Sequence, residues 1–213
     1  GKYISIEKFI AGKPTKEVLP EILSNVIKKI EFEKSMKWSD RTFRFARPIK
    51  WFVTLLGTEV LPFEFEGLKG GNKTRGMRYF APQDVEISNS DEYVSKLREN
   101  SVIARKADRK AEILKSIKEN CENDGDVAII NNYLLEEVVN LVEYPFAIKG
   151  EFNPDYLDLP EDIITITMET HQRYFPVKDA NGRLTNKFIV IRNAPEYSEV
   201  VKKGNEKVIE PRL

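Results

Sequence analysis

The chain has one cysteine, one histidine and no net charge across its 213 residues. The lone Cys121 excludes an intramolecular disulfide and a cysteine-cluster metal site. With only His171 to join it, a zinc centre is short of ligands as well. A catalytic triad could draw only on His171, and no serine or cysteine sits in a Gly-x-Ser-x-Gly elbow. The stretch 67–76 is glycine-rich but lacks the Gly-Lys-Ser/Thr ending that cradles phosphate. No apolar run approaches the roughly eighteen residues of a membrane span, and no signal segment leads the chain. A soluble cytoplasmic protein without a membrane partner is therefore expected. Gly1 stands where Met would, and the sequence stops at Pro211-Arg212-Leu213, so we expect a piece of a longer polypeptide.

What is present is globular. The 41% hydrophobic content is enough for one good core or two small ones and argues against disorder. Basic and acidic residues number 34 each, so the net charge points to no polyanion, but the distribution is uneven. Between 34 and 50 lie Lys34, Lys37, Arg41, Arg44, Arg47 and Lys50 against one acid, Asp40. Lys69, Lys73, Arg75 and Arg78 follow with no acid between 67 and 80. The balancing acids include Glu143, Glu151, Asp155, Asp158, Glu161 and Asp162. Such asymmetry lets a neutral chain offer a basic face to a nucleic acid, though two solvated loops would look the same.

Helices and strands interleave without a regular period, which predicts an α+β fold with a mixed sheet and packed helices. A strand is expected at 3–9. An amphipathic helix is expected at 15–32, capped by Thr15, with Val18, Leu19, Ile22, Leu23, Val26, Ile27 and Ile30 as a buried face. A hairpin should turn at Gly57-Thr58, joining strands at 49–56 and 59–65, before a flexible glycine loop at 67–76. Further expectations are a strand near 85–87, a helix capped by Asp91, a short strand at 101–104 and a helix at 106–119 ended by Asn123-Asp124-Gly125. A helix at 132–142, a strand at 145–149, a helix at 161–170 and a hairpin around Asn181-Gly182 come next. Gly204 puts a break into the last helix.

Candidate chemistry is sparse. Glu136/Glu137 and Glu161/Asp162 are sequence neighbours, which point about a hundred degrees apart on a helix and make poor acid–base partners. His171 is either a helix-end or half-buried structural residue, or a polar contact to an RNA end or small ligand beside Gln172, Arg173 and Tyr174. The segment 36–48 interleaves cations with Trp38, Phe43 and Phe45. Cations neutralise phosphates and aromatic faces stack on unpaired bases, but the same pattern could bury the rings and leave Arg44 in water.

The run Lys-Ser-Met-Lys-Trp-Ser-Asp-Arg-Thr-Phe-Arg-Phe-Ala-Arg-Pro-Ile-Lys-Trp at 34–51 resembles a signature of bacterial glycyl-tRNA synthetase beta subunits. Similar blocks of that family follow at 71–80, at 135–145, at 159–177 with Thr-His-Gln-Arg-Tyr-Phe-Pro-Val, and at 204–208. The resemblance implies a heterotetramer of alpha and beta subunits in which the alpha subunit holds the catalytic core with ATP and Mg2+. It implies tRNA-Gly, the alpha subunit and the remaining beta-subunit domains as partners, and no cofactor on this piece. A fold similar to the B3/B4 domain of the phenylalanyl-tRNA synthetase beta subunit is implied for 1–195, with 196–213 as a linker helix. No catalytic residue is expected. Candidate tRNA contacts are Lys37, Arg41, Arg44, Arg47, Lys50, Arg75, Arg78, His171, Arg173 and Tyr174. The alternatives are a scaffold for alpha–beta or inter-domain assembly, and an editing hydrolase, for which the smallness of glycine leaves little chemical need.

Overall fold

A computed structural model of the chain describes residues 3–122 and 124–213. Two compact units emerge, Gly1–Thr74 with Asp84–Tyr93, and Arg75–Gln83 with Val94–Leu213.

In the first unit, residues 3–14 are exposed and carry no regular structure, so the strand expected at 3–9 does not form. Alternation supplies a face, but among the described residues no other strand pairs with it. Helix α1 (Thr15–Lys29) begins after Pro14, whose ring fixes a φ of −54°, and Thr15 makes no cap. Glu17 in its first turn and Lys28 and Lys29 in its last complement the helix dipole. None of its residues is buried, so the apolar stripe is not a core face of this chain.

Strands β1 (Phe52–Val53) and β2 (Leu55–Leu56) replace the single strand expected at 49–56. The break is the buried Thr54, which donates its N–H to the Gly71 carbonyl at 2.9 Å and accepts from the Leu61 N–H at 2.8 Å. β2 pairs with β3 (Glu59–Val60) across Gly57-Thr58, as expected. β4 (Glu64–Phe65) and β5 (Leu68–Gly71) form a second hairpin, turned by Glu66 and Gly67 at φ 50° and 72°. β5 also runs parallel to β1. Gly70 lies so close to the Thr54 side chain that a Cβ would overlap it. Part of the expected flexible loop is thus a strand, its glycine selected for close approach rather than mobility. β6 (Lys73–Arg75) and β7 (Asp84–Glu86) pair separately. Leu61, Phe63, Phe65, Val85 and Ile87 are buried here.

A single turn capped by Asn89, not Asp91, ends the first unit and leads into α2 (Tyr93–Glu99), which from Val94 onward belongs to the second. No strand forms at 101–104. Instead Arg109 donates to the carbonyls of Ile103 at 2.7 Å, Ala104 at 2.9 Å and Val139 at 3.1 Å. Next come α3 (Lys106–Glu122), β8 (Val127–Ala128), α4 (Asn132–Leu141) and β9 (Pro145–Glu151). Asn123, part of the expected helix terminator, lies outside the described residues. α5 (Glu161–Ile166) continues as a π-helical turn, Thr167–Gln172, into β10 (Tyr174–Lys178); β11 (Leu184–Asn193) and α6 (Ser198–Ile209) complete the unit.

The strands pair antiparallel in the order β8-β10-β11-β9. Alternate side chains feed two cores, since successive strand residues face opposite sides. On one side Phe175, Val177 and Ile189 join Ile113 and Ile117 of α3 and Leu135 and Val139 of α4. On the other Tyr174 and Phe188 join Ile164, Met168 and Ile209. α6 runs unbroken through Gly204 and buries Ile209 in that second core. Residues 196–213, expected as a linker helix, pack into this unit through Ile209 and Leu213. The fold class is α+β, as expected. No helix among the described residues is long and apolar enough to cross a membrane.

Candidate nucleic-acid interface

In the first unit the basic segment folds back on itself. Met36 and Phe45 exchange backbone hydrogen bonds of 2.9 and 3.1 Å around a turn in which Ser39 has φ 56°. This sorts the interleaved residues. Trp38 and Phe43 meet edge to face at 6.2 Å, Phe43 packs on Phe65 at 4.9 Å, and Phe45 on Phe32 at 4.6 Å. The rings are spent on one another, which settles the ambiguity of the pattern in favour of packing.

The cations are left on the other side. Lys37, Arg44, Arg47 and Lys50 are exposed and Arg41 is half-buried. Arg44 donates from Nη2 to the Ser35 carbonyl at 2.5 Å and from Nε to the Ser35 hydroxyl at 3.2 Å, which orients its guanidinium without neutralising it. Among the described residues none of these five cations makes an ion pair.

The second unit is different. Lys106 and Lys110 both bind Glu136 at 2.7 Å, holding its carboxyl down at about 2. Lys187 lies 2.9 Å from Asp126 and 3.3 Å from Asp124, and its pKa is raised, first by the hydrogen bond to Asp126. Lys178 binds Glu161 at 2.9 Å.

The remaining sequence candidates belong to this second unit. Arg75 is exposed; Arg78 is exposed and lies 5.9 Å from the centre of the exposed Tyr79 ring. His171 is exposed in the last π-helical turn. Arg173, in the left-handed region at φ 58°, is clamped by Glu137 at 2.8 Å and by the Thr170 carbonyl at 3.0 Å. Tyr174 is 2% exposed, stacks on Phe188 at 4.5 Å and donates its phenol to Asn205 at 2.6 Å. Both faces of β10 are covered, so the Tyr174 ring is buried in the second core and the expectation of a nucleotide contact there is corrected. The exposed Tyr79 carries no sequence signal beyond adjacency to Arg78.

A family model described as glycyl-tRNA synthetase beta subunit matches residues 1–213. The chain belongs to that family. The glycine–tRNA ligase beta subunit of Dictyoglomus turgidum is 45% identical over 214 residues, covering 100% of this chain and 31% of the relative. The beta subunit of Syntrophus aciditrophicus is 42% identical, with 100% and 31% covered, and that of Shouchella clausii 42%, with 99% and 30%. The chain thus spans about a third of the length of these beta subunits. The unpaired segment 37–50 falls inside the run that first resembled the glycyl-tRNA synthetase beta family.

Proposed function

We propose that the chain is a tRNA-binding and positioning part of a glycine–tRNA ligase beta subunit. It supports ATP-dependent glycylation of tRNA-Gly in the cytoplasm by an alpha subunit that holds ATP and Mg2+. The chain itself takes no part in the chemistry. The observation that supports this is that, among the described residues, Lys37, Arg41, Arg44, Arg47 and Lys50 have no acidic partner, whereas the second unit is rich in ion pairs. Unpaired cations on one folded-back segment suit a phosphate backbone, and such contacts position an RNA without reading its sequence.

The test is an anisotropy titration of labelled tRNA-Gly and a non-cognate tRNA with the full-length beta subunit over a range of salt. Arg44→Ala should weaken both tRNAs alike and lower the salt slope by about 1. A change confined to tRNA identity, with the slope intact, would sink the reading.

A second reading, a scaffold for alpha–beta or inter-domain assembly, is favoured by α1, which buries none of its residues despite an apolar stripe. Under it, polar substitutions in that stripe separate subunits before they affect RNA affinity.

A further inference from the structure

The tRNA reading leaves unused a cavity of about 470 Å³ in the first unit, lined by Trp51, Phe52, Val53, Leu55, Ser90 and Tyr93. Phe52, Val53 and Leu55 of β1 and β2 supply apolar lining. Its other wall is the turn at 90–92, which the Ser90 N–H ties to the Gly57 carbonyl at 2.8 Å. Asn89 accepts from the Asp91 N–H at 3.1 Å and fixes that turn, so Tyr93 is presented from a braced position. The Trp51 indole donates to the Thr74 hydroxyl at 3.3 Å, which orients its ring. Both rings keep surface in solvent, 43% for Trp51 and 36% for Tyr93. Among the described residues the Tyr93 phenol has no hydrogen-bond partner, and the Ser90 hydroxyl has one long bond, 3.4 Å to Asn89.

Aromatic rings, apolar neighbours and two hydroxyl-bearing residues in one lining suit a flat heteroaromatic ring with a polar edge. Lys50, which makes no ion pair among the described residues, immediately precedes Trp51 in the chain, and Arg47 stands four residues before it. The turn at 90–92 carries Asp91 and Glu92, so a phosphate would be met from the Lys50 side and not from that wall. A planar base on a phosphate chain fits this lining. Paired bases are already stacked within their own helix, which leaves an unpaired one.

We propose that this cavity takes an unpaired nucleobase of the bound RNA, stacked against Tyr93 with Trp51 as the adjoining wall. The inference rests on the tRNA-binding reading above and adds to it a site that cations alone do not make.

The two can be separated by salt. Stacking carries no counterion release, so losing it lowers affinity without changing the slope, whereas losing a cation changes both. With the full-length beta subunit and labelled tRNA-Gly, Tyr93→Ala should weaken binding about tenfold at every salt concentration, with the slope unchanged. Tyr93→Leu should do the same while keeping apolar bulk, and Tyr93→Phe should bind nearly as the parent. A short single-stranded oligonucleotide should compete better with the parent than with Tyr93→Ala, and a blunt RNA duplex should not discriminate between them. If Tyr93→Ala and Tyr93→Leu bind as the parent while Arg44→Ala is weakened, the cavity is not a base site and the tRNA reading stands. A fall in the salt slope with Tyr93→Ala, or loss of the alpha subunit without loss of RNA affinity, also overturns the proposal. If the parent binds no tRNA at low salt, the tRNA reading fails and takes this one with it.

Discussion

Gly150 stands directly opposite Phe188 in the pairing of β9 with β11. A Cβ at Gly150 would sit 2.5 Å from the Phe188 ring tip. That ring cannot swing away, because it is fully buried and stacked nearly parallel on Tyr174, at 9°. Gly150→Ala should therefore overpack a filled core and cost about 1–3 kcal/mol, read as a lower denaturation midpoint with an unchanged m value. Tyr174, on the other face of the same stack, is pushed up to about 12 by burial of its phenol, which desolvates the phenolate. The folded value exceeds the unfolded one of about 10, so this group's contribution is whole below pH 10 and is lost as the pH rises towards 12. The absorbance titration of the protein minus that of Tyr174→Phe should reveal a phenol still protonated at pH 11. A tyrosine reaching out to RNA would titrate near 10.

At the scale of the element, α1 is a helix with the pattern of a core face and the environment of a surface. Ile22 is 49% and Val26 50% exposed, although both lie on the predicted stripe. Ile22→Lys with Val26→Lys should change the stability of this chain by no more than about 0.5 kcal/mol per site, since neither residue is buried and each keeps about half its surface in solvent. In the scaffold reading the same double variant dissociates the full-length subunit from its alpha partner in sedimentation velocity. A normal assembly removes that reading and leaves α1 unexplained by it. The same helix marks how far periodicity can be read. The spacing in α4 correctly placed Leu134, Leu135, Val138, Val139 and Val142 inside, because the layer that covers them lies in the same chain. The spacing in α1 was as good, but a pattern says which face is apolar, not what covers it. Strand breaks were illegible for another reason. Thr54 interrupts an apolar run by lending its backbone to Gly71, at the end of β5, and to Leu61, just after β3. In the basic segment the residue types were legible and their sorting was not. Only the Met36–Phe45 bridge decides that the rings pack inward and Arg44 stays out.

Across the whole molecule, charge is handled in two ways. Among the described residues the cations of segment 37–50 make no ion pair, whereas the second unit ties its long elements together through carboxylates. Glu136 of α4 binds Lys106 and Lys110 of α3, and Asp124 binds Lys149 of β9 and Lys187 of β11. The Asp124 carboxyl is lowered, first by its hydrogen bond from Lys149, and Glu136 falls from its ordinary 4.5 to about 2, first through Lys106. A depressed carboxyl contributes stability that is present above its unfolded value and lost as the pH falls through its folded one. The contribution from Glu136 should thus fade between about pH 4.5 and 2. The carboxyls of Glu136 and Asp124 are 42% and 44% exposed, so solvent and salt weaken each pair and the effect per pair is small. The clean measurement is a comparison. Chemical denaturation of the parent and of Glu136→Gln at pH 7, 5, 4 and 3 should give two stability curves that are separated at neutral pH and converge in acid. The convergence should be weaker in 0.5 M salt, where the pairs are already screened. Parallel curves would mean that Glu136 titrates normally and that α3 and α4 are held by the Ile113, Leu135 and Val139 core alone.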